Sequence, residues 1–164
     1  GGVIELKGCL DIIEVAKSFP EIEFKLIGNP EETCVRAAEK VSNVILAGTT
    51  PHSEIIEEMK QADVFIFLTY FPGEGFSNSL AEAMAAGLPC IVTDWAANKD
   101  MIEDKGGVVV PVHGVEDACK GLEEMADREV RKQQSEFNID KIKREYADAV
   151  VQAQYVECYE ELLK

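Results

Sequence analysis

Short apolar runs alternate with amphipathic segments along most of this chain, and that alternation restricts the folds open to it more than any other property. The runs Phe24–Ile27, Val44–Ala47, Val64–Leu68, Cys90–Thr93 and Val108–Val110 are brief, nearly continuous and rich in β-branched residues, as strands buried on both faces should be. Helical segments lie between them. Cys9–Ser18 places Cys9, Ile12, Ile13 and Ala16 on one face, and Glu31–Lys40 follows with Pro30 expected at its first helical position. Ser53–Gln61 has Ser53 as its expected cap and aligns Ile55, Met59 and Ala62. Ser77–Ala86 ends at Gly87 and Pro89, a helix stop, and Ala97–Asp104 and Val115–Ala126 complete the series. Strict alternation predicts an α/β fold, a single doubly wound domain with a mostly parallel sheet, helices on both faces and right-handed crossovers.

At 164 residues the chain has the length of one domain. The alternating part occupies residues 1–126, and the pattern changes over 127–164. There Arg128–Ser135 is polar, and Ile139–Lys164 reads as one or two long helices. An apolar seam of Ile142, Tyr146, Ala149, Ala153, Val156 and Leu163 is expected to pack on this domain or on another. Lys7-Gly8 should sit in a loop after a strand, yet only six residues precede it, which suggests a fragment of a longer protein. Five widely spaced cysteines without a C-x-x-C pair predict reduced, buried thiols and a cytoplasmic location.

Sixteen Lys and Arg against 31 Asp and Glu leave a formal charge of −15. Such a field repels nucleic acid and anionic lipid, so neither a nucleic-acid partner nor direct membrane contact is expected. Any anionic ligand must instead be met by local cations and helix N-termini. The stretch from Glu74 to Glu82 offers such a place. Two carboxylates bracket seven residues, directly after an apolar run, and Pro72, Gly73 and Gly75 lead into a helix whose first turn carries Ser77, Asn78 and Ser79. Free main-chain N–H groups at a helix N-terminus bind phosphate, and ionised carboxylates accept from hydroxyls. A ligand with phosphates in its middle and hydroxyls at both ends is a nucleotide sugar.

In a doubly wound fold, ligands bind beyond the carboxyl ends of the strands. The loops expected there are Gly1–Lys7, Gly28-Asn29-Pro30, Gly48-Thr49-Thr50, Thr69–Ser77 and Asp94–Asn98. Gly28 and Gly48 serve either a tight turn or the approach of a ligand. Lys7 either reaches a diphosphate as a point charge or is an exposed lysine near a helix start. Glu82 needs a partner in its apolar surroundings, from ribose hydroxyls or from the backbone. His52 and His113 have no metal-ligand or triad-like spacing and read as loop residues, and Trp95 is a ligand wall or a surface cover. No D-x-D pair and no G-x-G-x-x-G fingerprint occurs, so neither a metal-chelated diphosphate nor a dinucleotide has its usual sequence sign.

These residues resemble the C-terminal, donor-binding domain of group 1 (family 4) retaining glycosyltransferases of GT-B architecture. The likeness runs through Lys7-Gly8, Phe24–Gly28, Ala62–Ile66, Gly73–Pro89, Thr93-Asp94 with Asn98–Ile102, and Gly106–Pro111. It implies a Rossmann-like domain and transfer of a hexose, with retention and without a metal, from a UDP-, GDP- or ADP-sugar to a glycan or lipid-linked acceptor. By the same resemblance Glu74 and the main chain of Gly75, Phe76, Ser77 and Asn78 hold the hexose and distal phosphate. Glu82 binds the ribose, Lys7 the diphosphate, and the loop of Gly48 and Thr49 meets the base. Catalysis falls to Glu74 and Lys7, with no cofactor beyond the donor, in polysaccharide biosynthesis. Two departures matter. The family often carries an Arg about five residues before the lysine, where Gly2 and Val3 stand here, and the N-terminal acceptor-binding domain is not in this chain. The alternative is a non-catalytic or degenerate sugar-nucleotide-binding module.

Overall fold

In the computed structural model, which describes residues 2–163, seven strands pair only in parallel. Gly1 and Lys164, the outer ends of the expected first loop and last helix, lie outside the described residues. The strands are β1 Gly2–Val3, β2 Phe24–Ile27, β3 Asn29–Pro30, β4 Val44–Gly48, β5 Phe65–Phe67, β6 Cys90–Thr93 and β7 Gly107–Val110. β2 and β3 form one extended stretch bent at Gly28; its first half pairs with β4 and its second with β1. β6 lies between β5 and β7. The two sets meet where the Tyr70 amide donates to the Leu6 carbonyl at 2.9 Å.

The helices are α1 Cys9–Ser18, α2 Glu32–Ala38, α3 His52–Gln61, α4 Asn78–Ala85, α5 Asn98–Ile102, α6 Val115–Glu124, α7 Arg128–Lys141 and α8 Asp148–Leu162, with a π-helical turn Ile142–Tyr146 before α8. They cover the sheet from two sides. Ile91 of β6 joins a core with Ile12, Ile13 and Val15 of α1 and Ala118 of α6. Its neighbours Cys90 and Val92 join a second core with Leu80, Ala83 and Met84 of α4 and Met101 of α5. Successive strand residues point to opposite faces, so a strand covered on both sides has to be apolar throughout, and all four residues of β6 are buried. The expected α/β class, parallel pairing and two-sided cover are all present.

β4 departs from that rule. It pairs with β2 alone and stands at an edge, so Ile45 and Ala47 are exposed where burial on both faces was expected. Pro30 does not open α2. It extends β3 opposite Val3, the next amide, of Glu31, donates to the Val3 carbonyl, and Glu31 takes the cap position. Pro51, not Ser53, caps α3, and no side-chain bond supports that cap. Cys9, Cys34 and Cys90 are buried, whereas Cys119 is half-buried and Cys158 exposed; all five are free thiols. Burial pushes the Cys9 and Cys90 thiols far above their ordinary range, which keeps them protonated and inert.

The expected seam divides in two. Ile142 and Tyr146 pack against the α4 core, but Ala149, Ala153, Val156 and Leu163 of the last helical stretch are exposed, with Tyr155 and Tyr159 beside them. α7 is tied down by two side chains. Asn138 Nδ2 donates to the Leu88 and Gly106 carbonyls, each at 2.8 Å, and Lys141 Nζ donates to the Asp100 carbonyl at 2.7 Å while pairing with Glu103 and Glu145. No helix among the described residues is long and apolar enough to cross a membrane.

Candidate functional site

The loop Thr69–Ser77 leaves β5 at the carboxyl end of the sheet and enters α4. Its path is fixed from the neighbouring β6–α5 segment. Thr93 Oγ1 donates to the Thr69 carbonyl at 2.5 Å, Trp95 Nε1 to the Phe71 carbonyl at 2.9 Å, and the Ala97 amide to the Gly75 carbonyl at 3.3 Å. Trp95 is therefore a strut of this loop. Ser77 is buried and caps α4, its hydroxyl accepting from the Leu80 amide at 3.3 Å. Within the described residues no main-chain acceptor takes the amides of Gly75, Phe76, Ser77, Asn78 or Ser79. Gly75, Phe76 and Asn78 are exposed, and a side chain added at Gly75 would meet open space. The arrangement is a run of main-chain donors without main-chain acceptors at a helix N-terminus, as the sequence predicts.

Lys7 ends a 3-10 turn, Glu5–Lys7, and Gly8 follows with φ 77° as the cap of α1. A Cβ at Gly8 would collide with the Leu68 carbonyl, so only glycine lets this turn lie against the end of β5. That close approach brings Lys7 Nζ to 3.6 Å from Glu74 Oε2 and to 5.7 Å from the centre of the Phe71 ring. The Glu74 side chain is only 12% exposed, and its Oε2 is buried without a hydrogen-bond partner. A carboxylate oxygen withdrawn from water and paired only beyond hydrogen-bond reach is costly unless something donates to it.

Glu82 lies one turn further along α4, and its Oε1 is 3.0 Å from His52 Nε2. His52 is thus not a loop residue; it opens α3 and faces α4. Gly48 ends β4 with φ 70° and no neighbour over its Cβ position, and exposed Thr49 follows it in the loop that leads to His52. The expected site residues therefore form two clusters, Lys7 with Glu74 and Glu82 with His52, bridged by the loop and the first turn of α4. Among the described residues no hydrogen bond or ion pair ties Gly48 or Thr49 to Lys7 or Glu74. An open cavity of about 280 Å³ adjoins Glu82, lined chiefly by Phe76, Asn78, Ala81, Ile142 and Tyr146. His52 and Tyr146 are the residues sequence reasoning left out of the site. His52 lay within reach, because it closes the loop already marked by Gly48. Tyr146 had no local signal beyond its place in the seam. His113 is a loop residue, as expected, with Nδ1 3.0 Å from Asp11 Oδ2.

Comparison with known proteins identifies the family and the fold. A phosphatidyl-myo-inositol mannosyltransferase of Mycolicibacterium smegmatis is 29% identical over 148 residues, which cover 87% of this chain and 37% of that protein. A sucrose-phosphate synthase from Thermosynechococcus elongatus superposes with a TM-score of 0.85 at 17% identity, over 97% of this chain and 43% of that one. The C-terminal domain of a glycosyl transferase group 1 family protein from Francisella tularensis gives 0.78 at 19% identity, over 90% of this chain and 84% of that one. The chain thus spans well under half the length of the mannosyltransferase and the synthase. Residues 5–128 match the family described as glycosyl transferases group 1, and the chain belongs to that family.

Proposed function

We propose that this chain is the donor-binding half of a retaining glycosyltransferase that moves a hexose from a nucleoside diphosphate sugar to a glycan or lipid-linked acceptor. The observation that carries the reading is the buried, unpartnered Oε2 of Glu74 beside free amides at the N-terminus of α4. A hexose hydroxyl would donate to that oxygen while the distal phosphate accepts from the main chain of Gly75 to Asn78. Glu82 takes the ribose hydroxyls, and the Gly48-Thr49 loop the base. As the bond from the anomeric carbon to phosphate breaks, negative charge grows on the departing diphosphate. Lys7 and the α4 terminus stabilise it without a protein-bound metal, a role of the kind that often dominates catalysis. Glu74 orients the sugar, and no side chain here is placed as a nucleophile. An N-terminal domain outside this chain would bring the acceptor.

Calorimetric titration with UDP-, GDP- and ADP-sugars tests the reading. One of them should bind, and Lys7→Ala should weaken the nucleoside diphosphate more than the nucleoside. No binding by any of the three, or an equal loss for both ligands, would refute it. Because catalysis requires donor and acceptor to be held in one orientation, the chain alone should at most hydrolyse its donor slowly, and joining an acceptor domain should restore transfer with retained configuration. The Lys7–Glu74 pairing favours a second reading, a sugar-nucleotide-binding module without catalysis, since it partly neutralises the cation nearest the phosphates. Donor binding without turnover in the two-domain protein would select it.

A further inference from the structure

The donor loop is anchored from one side by bonds to its carbonyls at Thr69, Phe71 and Gly75, and one of its aromatic residues, Phe76, reaches to the other side. There the Phe76 ring packs on Tyr146, with centroids 5.2 Å apart at 58°. Phe76 is 45% exposed, and the Tyr146 ring covers part of the rest. Tyr146 ends the π-helical turn, and Ala147 leaves helical geometry immediately after it, with ψ 142°. A π turn displaces the residues that follow from their α-helical positions, and such turns are frequent at functional sites. The turn is held at its start by Lys141, which is buried and bonded to the Asp100 carbonyl, Glu103 and Glu145. Tyr146 is therefore presented from a fixed base, across the cavity it lines with Phe76, Asn78 and Glu82.

We propose that Tyr146 is a positioning residue for the donor site, holding Phe76 so that the amides of Gly75 to Asn78 converge on the distal phosphate. The proposal rests on the donor-binding reading above, and it assigns part of the site to the C-terminal segment, outside the Glu-x7-Glu stretch. Its reach is confined to the phosphate end. Glu82 takes its position from α4 and His52, neither of which depends on the Phe76 ring, so recognition of ribose and base should not change. The Tyr146 hydroxyl has no hydrogen-bond partner among the described residues, so the ring alone supplies the contact and phenylalanine should replace it.

The test compares wild type, Tyr146→Ala and Tyr146→Phe in two measurements. Amide hydrogen exchange without ligand should quicken by about tenfold in Tyr146→Ala at the bonded amides that hold the loop, those of Glu74, Leu80 and Ala97, with exchange in β6 unchanged, and return to wild type in Tyr146→Phe. Calorimetry with UDP, GDP and ADP against uridine, guanosine and adenosine should show the diphosphate weakened about five- to tenfold by Tyr146→Ala, the nucleoside unchanged, and both restored by Tyr146→Phe. Unchanged exchange in the loop overturns the proposal whether or not any nucleotide binds. Faster exchange throughout the protein, or failure of Tyr146→Phe to restore the loop, also overturns it, since Tyr146 would then be a general packing residue. If no nucleotide binds wild type, the donor reading fails, while the exchange result still decides the positioning role.

Discussion

The two ends of the sheet differ in how far their charged side chains are satisfied. At the amino ends of the strands polar side chains are used heavily for structure. Asn43 Nδ2 donates to three carbonyls, of Ala16, Phe19 and Ile22, at 2.8–3.0 Å, stapling the end of α1 to the start of β4. Asn138 Nδ2 ties α7 to the carbonyls before β6 and β7, and buried Lys141 has three partners. At the carboxyl ends Thr93 and Trp95 are also bonded, but among the described residues Lys7 has a single ion partner, at 3.6 Å, and Glu74 a buried oxygen with no hydrogen bond. The Asn138 Oδ1 is unpartnered too, but a neutral amide oxygen loses far less on burial than a carboxylate oxygen. Saturated polar groups hold a fold together; the unsaturated Glu74 oxygen is where the proposed sugar hydroxyl would supply the missing bond.

The largest effect that would break this contrast is expected at Asn138. Asn138→Ala strands two buried carbonyls and should lower stability by about 3 kcal/mol in urea unfolding, with nucleotide affinity of the folded protein unchanged. A loss under about 1 kcal/mol would mean that this end is not built as described. Asn43→Ala should cost about 2 kcal/mol by the same measurement, less because the site is only partly buried. At the other end the signs should separate. Glu74→Gln should leave stability within about 0.5 kcal/mol of wild type, or raise it, while weakening sugar-nucleotide binding about tenfold, or about 1.4 kcal/mol. Marked destabilisation by Glu74→Gln would turn Glu74 into a structural residue.

The smallest effect concerns Lys141. Burial works against the charge of Lys141, but its bond to Glu103 and the nearby carboxylates hold its pKa above the ordinary 10.5. A lysine raised in the folded state contributes stability that is complete below its unfolded pKa and is lost as pH rises through the folded one. Stability should therefore fall more steeply above about pH 10.5 in wild type than in Lys141→Met, a difference of at most about 1 kcal/mol. Identical alkaline profiles would show that Lys141 is no more committed to the fold than an exposed lysine.

Much of this molecule was legible in one dimension because the deciding patterns are local. α1, β2 and β6 have the expected bounds, since a run of period 2 or 3.6 and its stop signal fit within about ten residues. The errors came where a partner elsewhere overrode a local preference. Pro30 looked like a helix start but lies opposite Val3, and β4 looked doubly covered but has a neighbour on one side only. The apolar seam divided because its first residues meet the α4 core, whereas Ala149, Ala153, Val156 and Leu163 are exposed.

The sequence by itself determined the parallel α/β layering and the run of main-chain N–H groups at the helix start between Glu74 and Glu82. Each depends on residue type and spacing over one or two turns. Only the tertiary structure decided that Lys7 faces Glu74, that His52 reaches Glu82 and that Tyr146 packs on Phe76. Those pairings join segments far apart in the chain, and they form because crossovers and a close glycine contact stack several loop ends at one edge of the sheet. No local period encodes which of those ends will touch, since the choice is made by the packing of whole helices on the sheet between them.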